Sequence, residues 1–149
     1  MPGMTLLESA RRLGTTVWVE QRLFEVLGGW VRAASDVALA LELATVARHH
    51  AAHALQLSAL LPDTRDHEPA ELVSPPPGED DLWDAVTRAP TPEAGLSVVV
   101  GPALSGHLGS LESWLGDASP VRDGPGIRVV SAVLAADRSD RERLAAFAP

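Results

Sequence analysis

Two histidines three residues apart interrupt an otherwise apolar helical row in this 149-residue chain. The row advances in steps of three and four, the spacing that keeps side chains on one face of a helix. Its members are Leu39, Leu43, Val46, His50, His53, Leu57 and Leu60. The pattern predicts that both imidazoles point into a protein core. A buried imidazole needs a partner, which is either a carboxylate network or a metal ion.

Three other segments with helical periodicity each carry an ionisable residue in an apolar row. The first holds Glu20, the second His107 and the third Asp137. The rows are Val17, Glu20, Phe24, Leu27 and Val31; then Leu96, Val100, Leu104, His107, Leu111 and Trp114; then Ile127, Val130, Leu134, Asp137, Arg141 and Leu144. Together with the histidine row, they predict four long helices whose polar core residues face one another.

The two halves of the chain repeat one spacing scheme. Thirty positions separate Glu20 from His50, and thirty also separate His107 from Asp137. A second polar residue follows His50 and Asp137 at plus three, namely His53 and Asp140. The repeat predicts two helical hairpins, each with one ligand-type residue on its first helix and a pair on its second.

Capping residues and prolines mark the expected ends of these helices. Thr5 is spaced from Glu8 as in a capping box, and Ser35 or Asp36 suits the N-cap of the second helix. Pro92 suits the first position of the third helix, after Thr91 as its cap.

Two features of the middle of the chain modify this scheme. Pro102 should kink the third helix or delay its start, and residues 97–100 are apolar enough to form a short strand instead. Residues 62–92 are rich in Asp, Glu and Pro, which predicts a long crossover with a short helix near Asp80 to Arg88. Because neither flank is large enough to fold comfortably alone, residues 1–149 are interpreted as a single domain.

Composition narrows the functional classes. The formal net charge is −8 without a basic cluster, which argues against nucleic acid and against an anionic membrane surface. There is no cysteine, so thiolate metal sites and cysteine nucleophiles are excluded. The first residues lack a signal-peptide pattern, and no apolar run approaches the roughly 20 residues of a membrane span. We therefore expect a cytoplasmic protein; the Ala, Leu, Arg, Gly and Pro content is typical of a high-GC bacterial source.

The four-helix arrangement resembles the ferritin-like superfamily. Its metal proteins use a Glu from each of two helices and a Glu-x-x-His pair from each of the other two. By this resemblance Glu20 matches the first-helix Glu, His53 the second-helix His and Asp137 the fourth-helix Glu. His50 and His107 stand where the family has Glu, so the chain resembles a divergent member with a degenerate di-metal ligand pattern.

The resemblance implies an all-α, four-helix ferritin-like bundle with a long crossover between helices 2 and 3. A site made of Glu20, His50, His53, His107 and Asp137 is rich in imidazole and suits one transition metal ion, iron or zinc, better than two. Whether Asp140, His49 or Glu112 joins the site is left open by the sequence.

Two functions follow from this resemblance. The first is a non-catalytic or accessory bundle with a polar core, favoured because Arg141 stands one turn after Asp137 and is placed to pair with it. The alternative is a metal-binding oxidase or oxygenase, so enzymatic activity is undecided. As partner we expect another helical bundle, in a homo- or hetero-oligomer such as a dimer.

Overall fold

The fold is described from a computed structural model that covers residues 3–149, and it is all-helical. The helices are α1 (Leu6–Trp30), α2 (Val37–Ser58), α3 (Pro69–Leu72), α4 (Asp80–Thr87), α5 (Pro92–Val98), α6 (Leu104–Asp117) and α7 (Gly124–Ala145). Residues 3–149 contain no strand, so the all-α prediction is confirmed and the alternative strand at residues 97–100 is wrong.

Side-chain caps fix the starts of three helices at the positions that the sequence predicted. In each case a side-chain oxygen accepts a hydrogen bond from a backbone N–H of the first turn, which is otherwise without a helical partner. The pairs are Thr5 with Glu8 (3.1 Å), Asp36 with Ala38 (3.0 Å) and Thr91 with Ala94 (3.1 Å). Asp36 is thus the cap of α2, whereas the Ser35 hydroxyl donates to Glu93 at 2.6 Å.

The long helices pack as antiparallel neighbours: α1 lies against α2 and α6, and α7 lies against the same two helices. The order of the side-chain contacts shows the directions, because residue numbers rise on one helix as they fall on the other. Between α1 and α6 the contacts are Ser9–Trp114, Arg12–Ser113 and Glu20–His107; between α2 and α7 they are Glu42–Arg143, His49–Asp140 and His53–Asp137.

A polar layer divides the apolar core into two clusters. One cluster contains Leu23, Leu43, Leu104 and Leu144, and the other contains Leu13, Leu57, Leu111, Trp114 and Leu134. His50 and His53 on α2, His107 on α6 and Asp137 on α7 lie between the residues of the two clusters, and Glu20 on α1 lies at the boundary between them. The predicted α1 row is wrong at Phe24, which is 45% exposed, because Leu23 is the buried residue at that turn.

The segment between α2 and α5 lies over the long helices. Its predicted short helix is confirmed as α4, and the four-residue helix α3 is an addition that the sequence did not predict. The indole of Trp83 on α4 is buried and meets Trp18 of α1 edge to face, with ring centroids 5.4 Å apart. The backbone of α3 also approaches α1 closely at Gly14.

A turn of π-helix at Val99–Ala103 joins α5 to α6 and contains the predicted kink. Pro102 lies inside it, and Gly101 has non-helical dihedral angles of φ −78° and ψ −109°. Such a break frees backbone carbonyl groups. One of them, on Val100, accepts a hydrogen bond from the Arg141 guanidinium of α7 at 2.8 Å. The kink is therefore held against α7 one turn from Asp137.

The stretch Pro92–Asp117 is long and apolar enough to cross a membrane by length and composition only, and its most apolar 18-residue window has a mean hydropathy of 1.3. We expected no apolar run of roughly 20 residues, and this expectation is wrong for residues 92–117. However, 44% of its most apolar window is buried within the fold, and the core helix of a soluble protein passes the same test. The stretch is weak evidence for a membrane segment.

The close approach at Gly14 gives a stability prediction. A Cβ atom there would lie 1.9 Å from the backbone oxygen of Leu72, so Gly14→Ala must push α3 away. We expect a loss of about 1–3 kcal/mol in the free energy of unfolding, as for other overpacked sites.

The matched control lies on the same helix. A Cβ atom at Gly29 would meet no described atom within 4 Å, so Gly29→Ala should stabilise the protein by up to about 1 kcal/mol through helix propensity. Urea unfolding of both variants measures the difference. Equal stabilisation by the two substitutions would contradict the placement of α3.

Candidate metal centre

The five side chains predicted from the sequence converge in the interior. Glu20 comes from α1, His50 and His53 from α2, His107 from α6 and Asp137 from α7. All five residues are buried, with exposed fractions of 0, 0, 8, 3 and 0% respectively. Because the four helices lie side by side, their polar side chains lie at the same height, between the two apolar clusters of the core. We call these five residues the core cluster.

Glu20 lies between two imidazoles. Its Oε2 atom is 2.5 Å from Nδ1 of His50, and its Oε1 atom is 2.8 Å from Nε2 of His107. Each carboxylate oxygen therefore accepts a hydrogen bond from a different helix. A carboxylate with no exposed surface would otherwise be very costly to bury.

Asp137 is surrounded differently. Its Oδ1 atom lies 3.0 Å from Nδ1 of His53 and 3.5 Å from Nδ1 of His50, and its Oδ2 atom lies 3.3 Å from Nε2 of His107. These nitrogens are within ion-pair distance, but they are not aligned for N–H···O hydrogen bonds. Among residues 3–149 neither Asp137 oxygen has a hydrogen-bond partner, and the same holds for Nδ1 of His53.

Burial and neighbouring charge act in opposite directions on the cluster. Burial raises the pKa of Glu20, but the charge of His50, the hydrogen bonds from His107 and His50 and the nearby His53 imidazole outweigh it and hold that pKa well below its usual range. Burial lowers the pKa of each imidazole, but contacts with the two carboxylates outweigh it. The pKa of His53 is raised to about 10, that of His107 to about 9, and that of His50 is raised as well. Without a metal ion, the cluster is therefore a network of ion pairs at neutral pH.

The residues left open by the sequence lie outside the core cluster. Asp140 is buried and pairs with His49, at 2.9 and 3.0 Å from its Nδ1 atom. Glu112 pairs with Arg138 on the surface. The sequence analysis did not predict the His49–Asp140 pair. The spacing could have indicated it, because each residue stands one helical turn from a residue of the core cluster and the two helices are antiparallel neighbours.

The prediction that Arg141 pairs with Asp137 is wrong. The guanidinium of Arg141 instead donates to the Val100 carbonyl group freed by the kink. One turn of separation on a helix allows an ion pair, but a free backbone acceptor on α5–α6 competes for the same donor. Asp137 therefore faces only imidazole nitrogens in the described part of the chain.

The arrangement is chemically able to hold a cation. One ligand atom from each of Glu20, His50, His53 and Asp137 can be chosen so that all four lie within 4.8 Å of one another. His107 adds a fifth donor, since its Nε2 atom contacts both carboxylates. Two carboxylate and three imidazole ligands suit iron, zinc and neighbouring divalent metals.

The raised imidazole pKa values predict how stability depends on pH in EDTA-treated protein. A group with a raised pKa stabilises the fold at pH values below its unfolded pKa, and this contribution is lost as the pH rises through the folded pKa. For His107 and His53 the loss extends from about 6.5 to about 9 and 10. The lowered pKa of Glu20 contributes stability above its usual 4.5, which is lost at lower pH.

Urea unfolding should therefore give the highest stability between about pH 4.5 and 6.5, followed by a steady decline towards pH 10. The variant His53→Gln cannot titrate and should show a shallower decline. A metal-free protein whose stability rises between pH 6.5 and 9 would contradict the ion-pair network.

No family model, no curated protein and no solved structure matches the chain.

Proposed function

We propose that this protein binds one divalent transition metal ion, iron(II) or zinc, at the core cluster. The observation that carries the proposal is the state of Asp137. Its carboxylate has no exposed surface, and within residues 3–149 both of its oxygens lack a hydrogen bond. Imidazole nitrogens at 3.0 to 3.5 Å compensate its charge but are not aligned with its oxygens, and a bound cation would be contacted by these oxygens directly.

The spacing of the donor atoms supports a single coordination shell. Two ligands bound at about 2.1 Å and at right angles to each other stand about 3.0 Å apart. The six closest nitrogen-to-oxygen contacts within the cluster run from 2.5 to 3.6 Å, a range that includes this separation, and one ligand atom from each of Glu20, His50, His53 and Asp137 lies within 4.8 Å of the others. The side chains need only small movements to enclose an ion.

The charges also balance. Metal ligands must be deprotonated, so an incoming ion displaces the imidazole protons. Three neutral imidazoles, two carboxylates and one divalent cation sum to zero net charge. The same cluster with three imidazolium ions has one positive charge in excess. Neutrality is favourable in a site removed from water.

One ion fits better than two. A bridged pair of metal ions needs several carboxylates, and the cluster contains Glu20 and Asp137. The nearby Asp140 is paired with His49. Five donors would exceed the four of a typical structural zinc site, and imidazole together with carboxylate suits iron(II) as well as zinc.

We also propose a distant relation to the ferritin-like superfamily. The support is the pairing of two antiparallel helical hairpins, α1 with α2 and α6 with α7, joined by one long crossover. The positions of Glu20, His53 and Asp137 follow the family pattern, and His50 and His107 depart from it. A cytoplasmic location and association with another helical bundle stay predictions.

A second candidate function is a non-catalytic accessory bundle whose core holds no metal. The contacts of Glu20 favour it, because both of its oxygens are already paired with imidazoles in the metal-free state. In this alternative the network orients the helices, and a metal ion changes neither stability nor structure.

Metal binding is tested on protein purified without an affinity tag. We expect one iron per chain after anaerobic loading. An ion at 100 times its dissociation constant adds about 2.7 kcal/mol, which corresponds to a rise of about 5–10 °C in Tm for a chain of this size. Asp137→Asn keeps the shape of the side chain but removes its charge, and it should abolish both the bound iron and the rise in Tm.

The control for this test is Glu112→Gln, which removes an exposed carboxylate paired with Arg138. It should bind iron as the wild type does. A wild-type protein whose Tm does not respond to iron or zinc would favour the accessory bundle and reject metal binding.

The coordination number is tested at His107. If the ion has five protein ligands, His107→Leu should weaken iron binding by at least about 10-fold, measured by competition with a chelator. His67→Ala, which alters a histidine of the crossover, should leave it unchanged. If the four ligands Glu20, His50, His53 and Asp137 suffice, His107→Leu will retain wild-type affinity and the five-ligand site is wrong.

A further inference from the structure

The core cluster comes closest to solvent at His53. Its side chain is 11% exposed, whereas that of His107 is 1% exposed and those of Glu20, His50 and Asp137 are fully buried. His53 lies where α2 packs on α7, next to Asp137. An ion that reaches the cluster by the shortest route from water therefore passes between these two helices.

A second histidine–carboxylate pair lies one helical turn away along the same two helices. His49 is four residues before His53 on α2, and Asp140 is three residues after Asp137 on α7. The rings of His49 and His53 are tilted by 32° with centroids 6.5 Å apart. The side chain of His49 is 42% exposed, and that of Asp140 is 3% exposed. The His49 side chain of this pair is thus in contact with bulk water, and the Asp140 side chain is buried beside the core cluster.

We propose that His49 and Asp140 form a loading site, which binds a divalent transition metal ion on its way to the core cluster. This inference rests on the proposed function. The Nδ1 atom of His49 lies 2.9 and 3.0 Å from the two Asp140 oxygens. Two ligands of one ion at about 2.1 Å and at right angles have this separation. Metal ligands must be deprotonated, so the ion replaces the proton shared by His49 Nδ1 and Asp140.

Local charge favours a cation at this place. Among residues 3–149, the one guanidinium within 4 Å of Asp140 is that of Arg143, whose Nη1 atom is 3.6 Å away. The guanidinium of Arg143 also pairs through Nε with Glu42. Two carboxylates therefore face one guanidinium, which leaves a negative balance around His49. The net charge of −8 on the whole chain adds to the attraction of a dication.

The larger number of ligands in the core cluster favours movement of the ion from the loading site to the core cluster. The loading site supplies two protein donors, of which one is half exposed, whereas the core cluster supplies five buried donors. Binding at the loading site is therefore weaker, and the ion moves inward over the short separation between the His49 and His53 rings.

The large surface clefts do not offer an equivalent route. A cleft of about 690 Å³ is lined by Arg11, Glu79 and Ser110 among others, and one of about 470 Å³ by Glu112, Arg138 and Arg141 among others. For the described residues, the lining of these two clefts includes no member of the core cluster. The α2–α7 seam is thus the favoured entrance.

The test is the kinetics of metal uptake by tag-free apoprotein, with cobalt(II) chloride as the probe. Stopped-flow absorption of the cobalt d–d bands gives the loading rate, and a chase with EDTA gives the release rate. The variants are His49→Ala, in which a half-exposed side chain is removed, and Asp140→Asn, which keeps the side-chain shape. His67→Ala is the matched control, since it removes a histidine far along the chain in the crossover.

Substitution of a residue on the path of entry lowers the loading rate and the release rate by the same factor and leaves the equilibrium affinity unchanged. We expect both rates to fall by at least about 10-fold in His49→Ala and Asp140→Asn, with a dissociation constant within about threefold of the wild type. The control should match the wild type in both rates.

Three results would overturn the loading site. Unchanged rates in both variants would show that the ion enters elsewhere. Unchanged loading with faster release would show that the pair supports the bound ion instead of passing it inward. A wild-type protein that takes up no cobalt would reject the proposed function itself, and the loading site with it; this outcome is distinct because it appears before any variant is compared.

Discussion

The burial of two carboxylates in the middle of an apolar core is the constraint on which the rest of the structure depends. Glu20 and Asp137 have no exposed surface, and their charges are compensated by three imidazoles from two other helices. A single buried charge without a partner destabilises a fold by several kcal/mol. The four long helices must therefore be rotated and aligned so that these side chains meet, whether protons or a metal ion complete the balance.

The apolar core is arranged around this layer. Two clusters of Leu, Val and Trp side chains pack above and below it, and each would tolerate small shifts of one helix along another, since apolar contacts are not directional. The polar layer removes that freedom because hydrogen bonds and metal–ligand bonds act over short, directed distances. The kink at Pro102 and its tie to Arg141 hold α6 and α7 together beside the layer. The polar layer thus fixes the axial alignment of the helices, which the hydrophobic effect alone does not determine.

The sequence predicted the helices and the residues that converge, because apolar periodicity fixes which face of a helix is buried. His50, His53, His107 and Asp137 each stand in an apolar row. Because the four apolar faces pack against one another, these side chains meet in the core. The long connection was also visible from its composition, and Asp36 and Thr91 acted as the caps that their types suggest.

Contacts between helices were harder to predict. Periodicity gives the rotation of a helix about its axis but not which residue of its neighbour lies opposite. Arg141 was therefore assigned to Asp137 within its own helix, although it reaches the Val100 carbonyl group on another. The sequence left open whether His49 joins the site, and its pairing with Asp140 appears only once α2 and α7 are aligned. The packing of α3 on Gly14 depends on a crossover whose path has no periodic signal.

The central claim is that side chains from four helices enclose one metal ion. X-ray absorption spectroscopy of the iron-loaded, tag-free protein tests it most directly. The account predicts about five nitrogen or oxygen ligands near 2.1 Å, multiple scattering from about three imidazoles, and no second metal at the roughly 3.5–4 Å typical of two-metal sites. A shell dominated by water with one imidazole or none, or a clear metal–metal vector, would contradict it.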